Sequence, residues 1–322
     1  MKMRLQTTKC RGAKELVRPT WYPQKPKLVA LLQGGLGNQL FIYAAARALA
    51  LECDAELVFD TRTFLLDKVY RRSLALDAFA CDLRLRRCPS YVYAKIWSQI
   101  RRRMPSLLEA CGWQIEKPPF TYKKIDTDWS GVKVLDGLWQ SERYFYRHRH
   151  QIVNDLKLKD ESWIGDDGTA VDIMSEKHAT FLHVRSYTDI PGKQDYSAAL
   201  PARYYANALS RLKALCPGAR KIFLFSDDLK WAVERIVPLA SANDFEIVPV
   251  GLHEKSSQLR DFSLMRLCKH GIVANSSFSW WAGWLGEREW LRKGEIPIRI
   301  HADIRGMNDN YWPARWERVG CV

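Results

Sequence analysis

Four short stretches of this sequence carry side chains able to grip a ligand. Asn275-Ser276-Ser277-Phe278-Ser279-Trp280-Trp281 joins an amide, three hydroxyls and two indoles ahead of a helical pattern. Hydroxyls and open N–H groups at a helix N-terminus make an anion site without any metal. The run exceeds what capping needs, so a functional role is favoured there. In His183-Val184-Arg185, strand alternation puts the imidazole and the guanidinium on one side. A guanidinium at a strand end can hold phosphate oxygens in fork geometry without losing its proton. From spacing alone, a structural ion pair is the first reading of that arginine. In Ser226-Asp227-Asp228 a carboxylate can accept N–H groups from a guanine edge, or cap the turn that follows. Gly34-Gly35-Leu36-Gly37-Asn38-Gln39 lets backbone approach a ligand ahead of another helix. It is neither Gly-x-Gly-x-x-Gly nor a P-loop, and a tight turn capped by Asn38 explains it equally well.

These stretches need strands and helices to hold them. Leu28-Val29-Ala30-Leu31-Leu32 reads as a buried parallel strand, Gln39–Cys53 as a helix and Glu56–Asp60 as the next strand. The helix has Phe41, Ala45, Ala48 and Leu49 on one face. Strand, glycine-rich turn, helix and strand open a βαβ unit. A second alternating series runs from Thr180. Its strands are Thr180–Val184, Lys221–Phe225, Phe245–Val250 and Gly271–Ala274; its helices are Pro201–Leu215, Gln258–Cys268 and one from Ser277. The expected class is α/β with two Rossmann-like domains. Asp and Gly cluster at Gly165-Asp166-Asp167-Gly168. The expected division is a basic leader over 1–26, a first domain over 27–165 and a second over 166–322.

Length and composition agree. The chain has 322 residues, 47% apolar and 27% charged, which excludes disordered, collagen-like and low-complexity classes. No apolar run approaches the ~18 residues that span a bilayer. The basic start has no apolar stretch behind it, so no secretory signal is expected and the chain is expected in the cytoplasm. Eight cysteines lack metal-type spacing and are expected as free thiols, most of them buried. A net charge of +14 favours anionic partners such as nucleic acid, anionic lipid or a phosphorylated substrate. No nucleic-acid motif accompanies it. Thirteen Trp residues are expected mainly in the core. Tyr91–Met104 forms a basic amphipathic helix, expected to pack Val92, Tyr93, Ile96, Trp97, Ile100 and Met104 onto the core. Its alternative is peripheral contact with an anionic membrane, at the inner face.

Four blocks together resemble a known family. They are Gly34–Ala44, Gly137-Leu138-Trp139-Gln140-Ser141-Glu142-Arg143-Tyr144-Phe145, Phe225–Asp228 and Ala274–Leu285. In that order they are similar to the bacterial α-1,2-fucosyltransferases of glycosyltransferase family 11. The resemblance implies a GT-B-like fold, with the two Rossmann-like domains facing a central cleft. It implies GDP-β-L-fucose as donor substrate, a galactose-terminated oligosaccharide as acceptor, inversion at the anomeric carbon, and neither metal nor cofactor. Carried over by motif position, His183 and Asp227 approach the guanine, and Arg185 holds the β-phosphate of the leaving GDP. Ser276, Ser277 and Phe278 bind the donor phosphate at the helix N-terminus, with Asn275 also on the donor side, while Gly35, Asn38, Gln39 and Glu142 belong to the cleft on the acceptor side.

The family pattern His-x-Arg-Arg-Gly-Asp-Tyr is here His183-Val184-Arg185-Ser186-Tyr187-Thr188-Asp189, with Ser186 in place of the second arginine. That departure motivates an alternative, a non-catalytic or donor-switched relative that binds a GDP-sugar or an oligosaccharide. An inverting transfer needs a carboxylate to take the acceptor proton. Asp189 is ranked first, ahead of Asp195 and Glu142. Asp126-Thr127-Asp128 has the Asp-x-Asp form that metal-dependent transferases use, but a short polar loop explains it.

Overall fold

The computed structural model describes residues 25–188, 190, 192, 195–251, 257–307 and 310–321. Most of the leader, and Asp189 with it, lie outside the described residues. The first unit is built on β1 (Lys27–Leu31), β2 (Glu56–Asp60), β3 (Leu85–Arg86), β4 (Trp113–Ile115) and β5 (Val132–Asp136). All pair in parallel, in the order β3-β2-β1-β5-β4. Helix α1 (Leu36–Glu52) follows β1. It is buried on nearly every side, not on the single face expected, because it lies between this sheet and the second unit. Helices α2 (Tyr91–Arg103), α3 (Pro105–Ala110) and α4 (Arg149–Asp155) complete this half.

Helix α5 (Gly168–Ser175) leads into the second sheet. Its strands are β6 (Thr180–Val184), β7 (Lys221–Ser226), β8 (Glu246–Pro249), β9 (His270–Ile272), β10 (Arg299–Ala302) and β11 (Glu317–Val319). The order β11-β10-β9-β6-β7-β8, again all parallel, is a doubly wound order that reverses between β6 and β9. Helices α6 (Ala202–Leu215), α7 (Leu229–Ser241), α8 (Gln258–Leu267) and α9 (Ser277–Arg292) lie between the strands in sequence. The first sheet reverses between β1 and β5. Both reversal points therefore sit where three of the four polar stretches leave their strands, and the fourth leaves the neighbouring β7.

The halves share one apolar cluster. Phe41 of α1 lies 4.5 Å from the Trp280 ring and 5.1 Å from that of Trp281, and Phe145 stacks on Trp281 at 5.3 Å. Trp139, Trp280, Trp281, Trp284, Trp312 and Trp316 are all core residues, as composition led one to expect. A second cluster, including Leu182, Tyr204, Leu209 and Ile222, packs α6 and α7 on the second sheet.

Two expectations fail here. Of the seven described cysteines, only Cys81, Cys216 and Cys268 are buried; all seven are free. Helix α2 does not bury its apolar stripe. Ala94 is its one buried residue, and Trp97 packs on Trp113 at 6.1 Å. Val92 and Ile96 are 62% and 55% exposed. The helix is anchored instead by Arg101, whose guanidinium makes a two-pronged ion pair with the buried Asp136. No helix of the described residues is long and apolar enough to cross a membrane.

Candidate active site

A cleft of ≈ 860 Å³ lies where the two reversal points face each other. One wall is the Gly34–Asn38 turn with Leu138 and Gln140; the other is His183, Arg185 and Asn275–Phe278. Two helix N-termini converge on it, α1 and α9, bringing two positive dipole ends together. Their approach depends on glycine. A methyl at Gly37 would sit 2.5 Å from the Ser277 carbonyl oxygen and 2.6 Å from the Phe278 nitrogen. Gly34 takes φ +76°, and a methyl there would strike the Asn38 amide at 2.6 Å.

Asn38 joins the walls rather than capping its own turn. Its Oδ1 accepts the Ser277 hydroxyl at 2.8 Å and the Gln140 amide at 3.0 Å. Gln39, expected to line the cleft, lies fully buried beneath it. Its Nε2 donates to the carbonyls of Gly34 (2.9 Å) and Ser73 (2.8 Å), while its Oε1 accepts from Ala75 N–H (2.9 Å). The clamp holds the segment that carries Arg72 over the glycine turn, where the Arg72 guanidinium is 3.9 Å from a methyl built on Gly35.

On the opposite wall Asp227 organises the end of β6. Its Oδ1 accepts from Ser186 N–H at 2.7 Å. Its Oδ2 accepts from the Ser186 hydroxyl (2.8 Å), from Tyr187 N–H (3.0 Å) and from the Arg185 guanidinium. The ion pair that spacing proposed for Arg185 is thus present, and most of the Asp227 lone pairs are used within the protein. Ser186 is completely buried and turns inward to this carboxylate, so the position of the absent arginine does not face the cleft. Tyr187 stands where the family pattern has glycine, and it takes φ +63°, a conformation that glycine adopts freely. Its hydroxyl donates to the Asn275 carbonyl at 2.5 Å, and its ring lies 4.9 Å from the Arg185 guanidinium carbon.

His183 is buried beside the Phe278 ring, 5.8 Å between centroids. Burial, opposed by nearby Asp227, brings its pKa down to about 4, so the ring is neutral. His183 Nδ1 and Asn275 Oδ1 are buried without a hydrogen-bond partner among the described residues. Both residues line the cleft. Orphaned polar atoms in one cleft are what a ligand would satisfy.

The carboxylates considered for proton transfer fare differently. Glu142 is outside the cleft lining and is bound into an ion cluster. It accepts from Arg315 Nη1 at 2.7 and 2.9 Å and from Trp284 Nε1 at 3.0 Å, while the same arginine holds Glu287. Asp195 folds onto its own turn, accepting from Ser197 N–H (3.1 Å) and its hydroxyl (2.7 Å). Asp126 and Asp128 form a similar local turn, with Asp128 N–H donating to Asp126 Oδ1 at 3.0 Å.

Sequence reasoning passed over Tyr70, Arg72, Phe120, Tyr187, Met307 and Tyr311, all on the cleft wall. Their segments have no periodic pattern, so nothing local marked them. Gln140 was passed over too, although it falls inside a block that resembles the family, which was the signal that could have found it. Among the described residues tryptophan is absent from the cleft lining, whose aromatic surface is Tyr, Phe and His183. Elsewhere, His178, Cys216 and His270 bring ligand-type atoms within 4.8 Å of one another. There His270 Nδ1 accepts the Ile298 N–H at 3.1 Å. That leaves Nε2 to carry the proton, aimed at His178 Nδ1, 3.4 Å away.

Comparisons with known proteins agree with this geometry. The profile described as "Glycosyl transferase family 11" matches residues 115–292, more than half of the chain. An alpha-1,2-colitosyltransferase of Escherichia coli is 29% identical over 278 residues, covering 80% of this chain and 87% of that protein. The O-antigen biosynthesis glycosyltransferase WbnK of Escherichia coli is 28% identical, covering 81% and 91%. Among solved structures, fucosyltransferase NodZ from Bradyrhizobium superposes with a TM-score of 0.50 at 20% identity, covering 87% of this chain and 96% of that one. A mutant of Arabidopsis thaliana FUT1 in complex with GDP gives 0.51 at 12% identity, covering 91% and 76%. The fold is GT-B-like, as the resemblance implied. With the matched residues running from β4 through α9 and carrying the Arg185 and Ser277 wall of the cleft, the chain belongs to glycosyl transferase family 11 and is a glycosyltransferase.

Proposed function

We propose that this glycosyltransferase moves L-fucose from GDP-β-L-fucose to the 2-hydroxyl of a terminal galactoside, with inversion, in surface-glycan or O-antigen synthesis in the cytoplasm. The observation that carries the reading is the convergence of Arg185, two helix N-termini and the orphaned His183 and Asn275 atoms on one cleft. A nucleoside diphosphate leaving group needs distributed positive charge, and a guanidinium with helix N–H groups supplies it without a divalent ion. Arg185 and Ser276–Phe278 take the phosphates, with His183 and Asn275 nearer the base and ribose. Residues 166–322 are the GDP-sugar domain, and 27–165 present the acceptor through Gly35, Asn38 and Gln140. Asp189 remains the candidate for the acceptor proton.

A donor-switched reading rests on the colitosyl relative, since Ser186, which first suggested it, turns away from the cleft. A panel of GDP-fucose, GDP-colitose and GDP-mannose against lactose and N-acetyllactosamine, with and without EDTA, distinguishes the two by product mass. Fucosyl-galactoside formed in EDTA supports the main reading. Product from GDP-colitose alone selects the second, and loss of turnover that manganese restores defeats the metal-free phosphate site.

A further inference from the structure

Residues 83–108 contain seven arginines and lysines and no aspartate or glutamate. Two of the cations are occupied, Arg101 by Asp136 and Arg84 by Glu56. Arg86, Arg87, Lys95, Arg102 and Arg103 are exposed. Between them, α2 presents Val92, Ile96 and Ile100 at successive four-residue steps, on the side away from the buried Ala94. Ile100 is 39% exposed, and Met104 and Leu107 continue the stripe into α3 at 48% and 49%.

An ordinary solvated helix face mixes charges of both signs and avoids a contiguous apolar stripe. Here a stripe of large aliphatic side chains on α2 is bordered by cations with no acidic residue on that helix, and the one carboxylate of α3, Glu109, is paired with Lys117 at 3.2 Å. Its complement is a surface that is apolar within and negative at its boundary, which is an anionic lipid bilayer.

We propose that α2 and α3 dock on an anionic bilayer, with the stripe at the headgroup–acyl boundary and the five exposed cations among lipid phosphates. The N-terminal end of α2 adjoins the segment that reaches the cleft. The Lys68 ammonium lies 4.6 Å from the centre of the Tyr91 ring, and Tyr70, two residues further on, lines the cleft. The acceptor side thus opens beside the membrane. Taken with the transferase reading above, on which this last step rests, the acceptor is a glycan carried on a lipid. Docking itself requires no catalysis.

The test is co-sedimentation of the full chain with vesicles of phosphatidylcholine alone, or with about one-third phosphatidylglycerol. Wild type should pellet with the anionic vesicles at low salt and leave them at high salt. Val92→Ser/Ile96→Ser/Ile100→Ser and, separately, Arg102→Ser/Arg103→Ser should each weaken binding about tenfold or more. Turnover of a soluble disaccharide acceptor should stay within about twofold, because none of these residues lines the cleft. Indifference of wild type to anionic vesicles overturns the proposal. So does full binding by the triple variant, which would leave only the attraction of net charge. A lower oligomeric state of the triple variant on gel filtration would make the stripe a contact between copies and also overturn it. Vesicle binding without transfer to any acceptor would defeat the enzymatic reading and leave the docking surface intact.

Discussion

The Ser277 hydroxyl donates to Asn38 Oδ1 at 2.8 Å, joining residues 239 positions apart at the facing ends of two helices. Gln140 donates to the same oxygen. One side chain thereby sets the spacing of the walls between which, in the proposed function, donor and acceptor meet. Distance matters there, because a displacement of about 1 Å can cost ~10²-fold in turnover. Asn38→Ala should lower turnover at least tenfold and destabilise the fold by about 1–2 kcal/mol. Asn38→Ala with Ser277→Ala should show a coupling energy of about 1 kcal/mol in urea denaturation. Additive effects of the two changes would mean that the bridge carries nothing.

Arg185 is the only guanidinium on the β6 wall of the cleft among the described residues. If it stabilises the departing diphosphate, Arg185→Lys keeps charge but loses the planar fork. Arg185→Ala should reduce turnover by ~10²–10³ with circular dichroism unchanged. Turnover near wild type from a folded Arg185→Ala protein removes the phosphate assignment.

Glu142 gives the opposite expectation. Its carboxylate is held by Arg315 and Trp284 away from the cleft lining. Glu142→Gln should therefore lower stability by about 1–3 kcal/mol while each folded molecule keeps its turnover. The check is thermal unfolding beside active-site-normalised rates. A fall in turnover without a fall in melting temperature would return Glu142 to the chemistry.

Three buried imidazoles predict an acid-labile fold. Burial brings His183 and His301 down to about 4 and His270 to about 3. Unfolded, each titrates near 6.5. Between those values the unfolded chain binds protons that the fold excludes. Stability is therefore complete above pH ~6.5 and declines as pH falls towards 4, on the order of 3 kcal/mol for His183 alone. Urea midpoints measured across that range should drop, and His183→Gln should flatten part of the slope. A flat profile contradicts the burial argument.

The strands β1, β2, β6 and β7 and most helices of the second unit were legible, because their apolar runs are continuous and punctuated by Gly, Asp or Ser. Strands β3, β4, β10 and β11 span two to four residues and leave no such signature. Val132–Asp136 was missed although it is central, because Lys133 interrupts its apolar run; its aliphatic stem is buried and its ammonium donates to the Asp126 carbonyl at 2.8 Å. At the site, strand-end logic found His183, Arg185 and Asn275–Phe278 because their chemistry is local. Gln39 and Glu142 were assigned to the cleft because sequence cannot show which way a polar side chain turns once inside. Helix α2 was misjudged for a similar reason. Periodicity reports an apolar face, but not whether anything covers it.

The interlock of Phe41 and Phe145 with Trp280 and Trp281 bears on how product escapes. Enzymes of two lobes commonly exchange substrates by swinging the lobes apart. Here such a swing would peel aromatic rings out of a common interior and expose them to water, a cost that thermal motion meets rarely. The traffic of nucleotide in and out is therefore left to the rim, where Tyr70 and Arg72 stand on a segment without regular structure. Release should follow the local motions of that rim, so that viscosity and rim substitutions alter the steady-state rate while the two lobes stay locked.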